Sequence, residues 1–186
     1  MLFRSRNYFE VYTYSYGRRK SGDLRKRIEL EIEHFFDVSD KSDIEIVNMA
    51  RSHDLDVAVD LKGHTQYSRT GIFQYRLAPV QINFLGYPGS LGADFIDYII
   101  ADPIIVPTDH CDFYSEKVIY LPHSYQPNDD TRSIAVTHTM PADFGLPADS
   151  FVFCSFNNNY KISPCEFDIW MNLLKKVDGS VLWLIK

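Results

Sequence analysis

Apolar and polar residues follow one another in short blocks whose period switches between two and about four, and the switches mark elements. Phe9-Glu-Val-Tyr-Thr-Tyr-Ser-Tyr16 reads as a strand over 8–16. Leu24, Ile28 and Ile32 then share one face of a helix over 23–34, and 35–38 is a short strand. Ile44, Ile46, Val47 and Met49 belong to a helix over 42–53, with Ser42 as its cap and Glu45 three residues on. Leu55-Asp-Val-Ala-Val-Asp-Leu61 reads as a buried strand. A polar loop over 62–69 and a short helix over 71–76 lead to a strand at 80–85, a turn-rich stretch over 86–93, and strands at 98–101 and 117–121. Strands and helices taking turns in this way predict a parallel sheet with helices on both faces, an α/β fold.

The stretch 122–147 breaks the pattern: it holds four prolines, many polar residues and no period. Beyond it Phe151, Val152, Phe153, Cys154 and Phe156 form another apolar strand. Ser163-Pro164-Cys165-Glu166 then has the form of a capping box with proline at the first helical position. Phe167, Trp170, Met171, Leu174 and Val177 follow at helical spacing, and 180–185 is a strand. We therefore expect two Rossmann-like lobes, each incomplete: 1–126 is the carboxyl-terminal part of the first, 127–146 a linker, and 147–186 the start of the second. Residues 1–6 lead straight into a strand and Lys186 directly follows one, so both ends read as cut inside a larger fold.

Composition narrows the function classes. With 186 residues and 45% hydrophobic content, the chain can bury a sizeable core. A net charge of −6 gives no basic field to hold duplex nucleic acid. The clusters Arg18-Arg19-Lys20 and Arg25-Lys26-Arg27 are local and fit a solvated loop and helix face. No apolar run reaches the ~20 residues that cross a bilayer and no signal peptide opens the chain, so no membrane partner and a cytoplasmic setting are expected. Cys111, Cys154 and Cys165 lack metal-site spacing and read as small core side chains, Cys154 and Cys165 in a buried strand and helix.

Chemistry gathers in the loops that follow strands. Three asparagines, Tyr160 and Lys161 stand between an apolar strand and a capped helix, where free N–H groups at a helix start favour anions and Lys161 adds a full charge. Asp60-Leu-Lys-Gly-His-Thr65, running on to Arg69, Leu85-Gly-Tyr-Pro-Gly89, and the Asp102-Pro103 turn occupy the same place after other strands. In this order, DLKGHTQYSRTGIF, LAPVQINFLGYPGSLGADFIDYIIAD, YSEKVIYLPHSYQPND and the block from FCSFNNNYKISP through VLWLIK resemble the catalytic region of the O-GlcNAc transferase family, over about residue 8 to the end.

That resemblance implies the GT-B architecture of two Rossmann-like lobes, the second binding nucleotide. It implies an inverting, metal-independent transfer of a sugar from a nucleotide donor, usually UDP-GlcNAc, to Ser or Thr of protein acceptors, with no cofactor. Plant-type relatives that use GDP-fucose, and a non-catalytic remnant, are the alternatives. Lys161 matches the lysine that contacts the donor diphosphate, and Asn158 stands where the family has a longer nucleotide-contacting residue. Arg69 matches a loop arginine needed for activity. Leu85, Gly86 and Pro88 match the loop beside the sugar, and His64 replaces a tyrosine in a sugar or acceptor loop. Each has a plainer reading too: turns for Gly86, Pro88, Gly89 and Asp102-Pro103, a surface bridge from Arg69 to Asp60 or Asp56, and an ordinary loop histidine for His64. The family's strand followed by DFxxHP would lie before residue 1, and its second-lobe motif of His, Gly or Thr, and Asp after Lys186. Tetratricopeptide repeats, frequent upstream in the family, are not in this stretch.

Overall fold

The computed structural model describes residues 7–17, 22–128, 133–134 and 136–185. The basic run Arg18-Arg19-Lys20, residues 1–6 and Lys186 lie outside the described residues. The chain divides into two compact units, Met1–Asp129 and Asp130–Lys186, and each is α/β. The first runs β1 (Tyr12–Ser15), α1 (Asp23–Glu31), β2 (His34–Asp37), α2 (Asp43–Ser52), β3 (Val57–Asp60), β4 (Val80–Asn83), β5 (Tyr98–Ala101) and β6 (Lys117–Tyr120). The second holds β7 (Val152–Ser155), α3 (Pro164–Lys176) and β8 (Val181–Leu184). Every strand pairing is parallel: β1 with β2, β3-β4-β5-β6 in chain order, and β7 with β8.

Helix α2 begins as its sequence predicts. The Ser42 hydroxyl accepts from the Glu45 amide, and the Glu45 carboxylate accepts from the Ser42 amide at 2.8 Å. The helix then buries Ile46, Val47 and Ala50 in one cluster with Val38, Ala58, Phe73 and Leu77. Each fully buried large aliphatic side chain there stabilises the unit by roughly 1.5–3 kcal/mol. The turn expected as a helix over 71–76 is a 3₁₀ turn, Thr70–Tyr75, that drops Ile72 and Phe73 into the same core.

Strand β3 corrects one expectation. The run LDVAVDL, read as wholly buried, alternates: Ala58 and Asp60 are buried, while Val57 and Val59 are 47% and 43% exposed. One face of the sheet meets the core and the other is open. Register sets Val59 beside Ile82 and Ile100 beside Ile119 on that open face.

The second unit is more exposed than its sequence suggests. Trp170, Met171 and Leu174 form the half-buried face of α3, with Val177 half-buried just after it, but Cys154 and Cys165 are exposed and are not core residues. A two-stranded sheet with one long helix leaves apolar surface uncovered, and Phe151 and Phe156 are also more than half exposed. At the start of α3 Pro164 takes the first helical position, yet the expected capping box does not close. The Ser163 hydroxyl donates to the Glu166 carboxylate and caps no backbone amide.

Candidate functional site

Three successive strands end in a buried polar side chain, and each side chain holds the loop that follows its strand. Asp60, 1% exposed at the end of β3, accepts from the amides of Lys62 (2.8 Å) and Gly63 (3.1 Å) and from the Thr70 hydroxyl (3.1 Å). Asn83, fully buried at the end of β4, donates to the Gly89 carbonyl at 3.0 Å, and its Oδ1 has no hydrogen-bond partner among the described residues. Asp102, just after β5, accepts from the amides of Ile104 and Ile105 at 2.9 Å each and from the Tyr125 amide at 2.8 Å. These amide bonds hold the Asp102 carboxyl below the ordinary carboxylate range. Tyr16 stands near Asp60 and Arg69; burial first, and then the Asp60 charge, push its hydroxyl pKa up.

The 62–69 and 85–91 loops follow adjacent parallel strands and so share the carboxyl edge of the sheet. They are interlocked there. Leu85 and Gly86 both have positive φ, 62° and 38°. A Cβ on Gly86 would lie 2.4 Å from the Leu61 carbonyl oxygen and 2.7 Å from Lys62 Cα. Only glycine allows the two backbones this approach. His64 donates through Nε2 to the Leu91 carbonyl (3.2 Å) and meets Tyr87 edge to face. Just ahead of β6, the Glu116 carboxylate accepts from the Leu91 amide and the Ser90 hydroxyl, both at 2.7 Å.

A cavity of about 350 Å³ opens at this edge, lined by Leu85, Gly86 and Pro88 on one side and Tyr125, Gln126 and Pro127 on the other. A slightly larger hollow of about 390 Å³, beside Arg51, Leu55 and Pro79, lies at the amino ends of β3 and β4. Open parallel sheets bind ligands at the carboxyl ends of their strands, so the smaller cavity is the candidate site.

The residues singled out by sequence fall into three places. Leu85, Gly86 and Pro88 line the cavity, and His64 braces the same loop from beneath. Arg69 turns to the start of α2 instead: its Nε donates to Asp43 Oδ1 at 2.6 Å and its Nη2 to the Lys41 carbonyl at 2.8 Å. Its carboxylate is Asp43, not the expected Asp60 or Asp56; the Asp60 carboxylate instead holds Lys62, Gly63 and Thr70. Asn158 and Lys161 belong to the second unit. Their loop is exposed, the Asn158 amide donates to Asn157 Oδ1 (3.0 Å), and Asn159–Lys161 form one 3₁₀ turn just ahead of α3. Among the described residues no carboxylate pairs with the Lys161 ammonium. No three metal-ligating side chains stand together among the described residues either.

Sequence reading missed Asn83, Glu116 and the holding roles of Asp60 and Asp102. A signal was present: VAVD60, VQIN83 and YIIAD102 each close an apolar strand with a short polar residue that can bond to its own turn. Asp102-Pro103 is more than a turn, since Asp102 also grips Tyr125 from 23 residues away.

Residues 2–139 and 127–186 match the family described as glycosyl transferase family 41. The chain is 36% identical over 187 residues to the probable UDP-N-acetylglucosamine–peptide N-acetylglucosaminyltransferase SEC of Arabidopsis thaliana, covering 98% of this chain and 19% of that protein. Similarity to the UDP-N-acetylglucosamine–peptide N-acetylglucosaminyltransferase of Caenorhabditis elegans is 22% identity, over 97% of this chain and 26% of that one. Among solved structures, a lysine-to-methionine mutant of Thermobaculum terrenum O-GlcNAc transferase superposes with a TM-score of 0.81 at 28% identity, covering 97% of this chain and 33% of that chain. The chain thus spans about a fifth to a quarter of the length of these curated relatives.

Proposed function

The chain belongs to glycosyl transferase family 41, and on that footing we propose that the complete protein moves a sugar, GlcNAc from UDP-GlcNAc, onto Ser or Thr hydroxyls of proteins. The named transferase relatives, each matched across nearly the whole of this chain, support that substrate pair. The observation that carries the chemistry is Lys161: an exposed ammonium, unpaired among the described residues, between β7 and α3.

In an inverting transfer the acceptor oxygen bonds to the anomeric carbon as the bond from that carbon to the diphosphate breaks. Negative charge grows on the departing UDP, and Lys161 would stabilise it where other transferases use a metal ion. Asn158, in the same loop, would contact the nucleotide. Leu85, Gly86 and Pro88 would wall the sugar, where Gly86 keeps the backbone close. His64 and Arg69 would act by fixing the 62–69 loop, and His64 also borders the acceptor side. In this reading 1–126 finishes the first lobe, 127–146 links, and 147–186 begins the nucleotide-binding lobe; the two compact units support it. The same reading has the protein in the cytoplasm without metal or cofactor, and allows tetratricopeptide repeats in the complete protein. Among the described residues no helix is long and apolar enough to cross a membrane.

The test is made on the complete protein with acceptor peptide and a panel of sugar nucleotides. UDP release from UDP-GlcNAc is the expected result; GDP release from GDP-fucose would reassign the donor, and no release from any donor would defeat the enzyme reading. Lys161→Met should then lower turnover by about 10²–10³, at least as much as it weakens donor binding, because the charge it meets appears as the bond breaks. Lys161→Arg should restore only part, since a planar fork does not reproduce a compact ammonium. Unchanged turnover in Lys161→Met would reduce the asparagine loop to a turn.

A further inference from the structure

The cavity at the carboxyl edge has two walls, and only one of them is the 85–88 loop. The other, Tyr125–Pro127, comes from a stretch without regular structure after β6, and among the described residues it carries the only polar side chains on the cavity lining. Leu85, Gly86, Pro88 and Pro127 offer a ligand nothing but carbon and backbone. A sugar is covered with hydroxyls that need donors and acceptors, and a side-chain amide supplies both. Gln126 has an exposed side chain, and Ser124 engages it only through its backbone. The wall is held from inside the fold, because the buried Asp102 carboxylate accepts from the Tyr125 amide as well as from its own turn. This is a charge-assisted bond to the residue next to Gln126, and the segment has no strand or helix to fix it otherwise.

We propose that Tyr125–Pro127 is the second wall of the donor-sugar site, with Gln126 as a specificity-determining contact to a sugar hydroxyl or amide and Asp102 as the positioning residue that sets it. The proposal rests on the transferase reading above. Asp102 acts through the segment and touches no substrate.

A double-mutant cycle on the complete protein tests it, with UDP-GlcNAc and acceptor peptide varied separately. Gln126→Ala should raise the donor KM about tenfold, the value of one hydrogen bond to a polar ligand group with its desolvation cost, and leave the peptide KM unchanged. Asp102→Asn should raise the donor KM to a similar extent, with kcat less affected. The double variant should be no worse than about the weaker single, because both changes disable one contact. Multiplying effects would mean that Asp102 does not act through Gln126 and would overturn the positioning role. A lowered urea midpoint in Asp102→Asn with an unchanged donor KM would overturn it too, leaving Asp102 as fold support alone. Should Asp102→Asn fail to fold, Gln126→Ala still decides, for an unchanged donor KM there removes the wall from the site. If the unsubstituted protein turns over no sugar nucleotide, the transferase reading falls and takes this inference with it; if it is active and the variants match it, this inference falls alone.

Discussion

Gly86 and Gly92 are both left-handed, with φ of 38° and 62°, but their surroundings differ completely. A Cβ on Gly92 meets nothing within 4 Å, whereas one on Gly86 runs into the backbone of Leu61 and Lys62. Gly92→Ala should therefore cost only the left-handed strain, about 1–2 kcal/mol. Gly86→Ala should cost clearly more, because the two loops must separate. Urea denaturation of the two variants side by side checks the ranking. Asp102 and Asp97 make a second residue-scale prediction. Amide bonds from Tyr125 and Ile105 lower the first, and the Arg76 guanidinium, in a two-bond contact at 2.6 and 2.7 Å, lowers the second. A carboxyl depressed on folding stabilises fully above its unfolded pKa, near 4, and loses that stabilisation as pH falls through the lowered folded value. Urea midpoints should thus hold steady from neutral pH to about 5 and fall below about 4. Asp97→Asn should flatten the acid limb, and an unchanged limb would contradict the assignment. Sequence alone could not have paired these groups, because Asp97 meets Arg76 from 21 residues away and Arg69 meets Asp43 from 26.

At the scale of elements, two serines precede two helices and do different things. Ser42 accepts from the Glu45 amide, and Ser163 accepts from no backbone amide. Ser42→Ala should destabilise the first unit by about 1 kcal/mol, whereas Ser163→Ala should stay within about 0.5 kcal/mol, the range of ordinary surface changes. Thermal melts of both variants measure the difference. Local pattern made both helices legible, including the proline at the start of α3 and the apolar stripe of Trp170, Met171 and Leu174. It overstated burial where the layer above an element matters. Val57 and Val59 look like core in LDVAVDL, yet what covers a strand is set by distant chain. The same holds for Cys154 in β7 and Cys165 in α3. For the strand-end polar residues the pattern understated burial: Asp60 and Asn83 close apolar runs as turn formers do, and only the loops above them show why they are buried.

For the whole molecule, the open face of the four-stranded sheet and the exposed Phe151 and Phe156 set a clear expectation. Residues 1–186 produced alone should self-associate, since exposed apolar side chains in each unit and parallel strand edges invite pairing between copies. Sedimentation at rising concentration checks this, and a monomer with one sharp unfolding transition would contradict it. The proline-rich break at 122–147 is visible in the sequence, but the cavity was not, because its second wall comes from a segment with no period. The strand order β3-β4-β5-β6 repeats the order of the chain. As a ribosome releases this polypeptide at roughly 5–20 residues per second, each new strand meets a neighbour that is already in place. The sheet can grow by addition at one edge, as a wall is laid course by course, and no strand has to be inserted between two that have already paired.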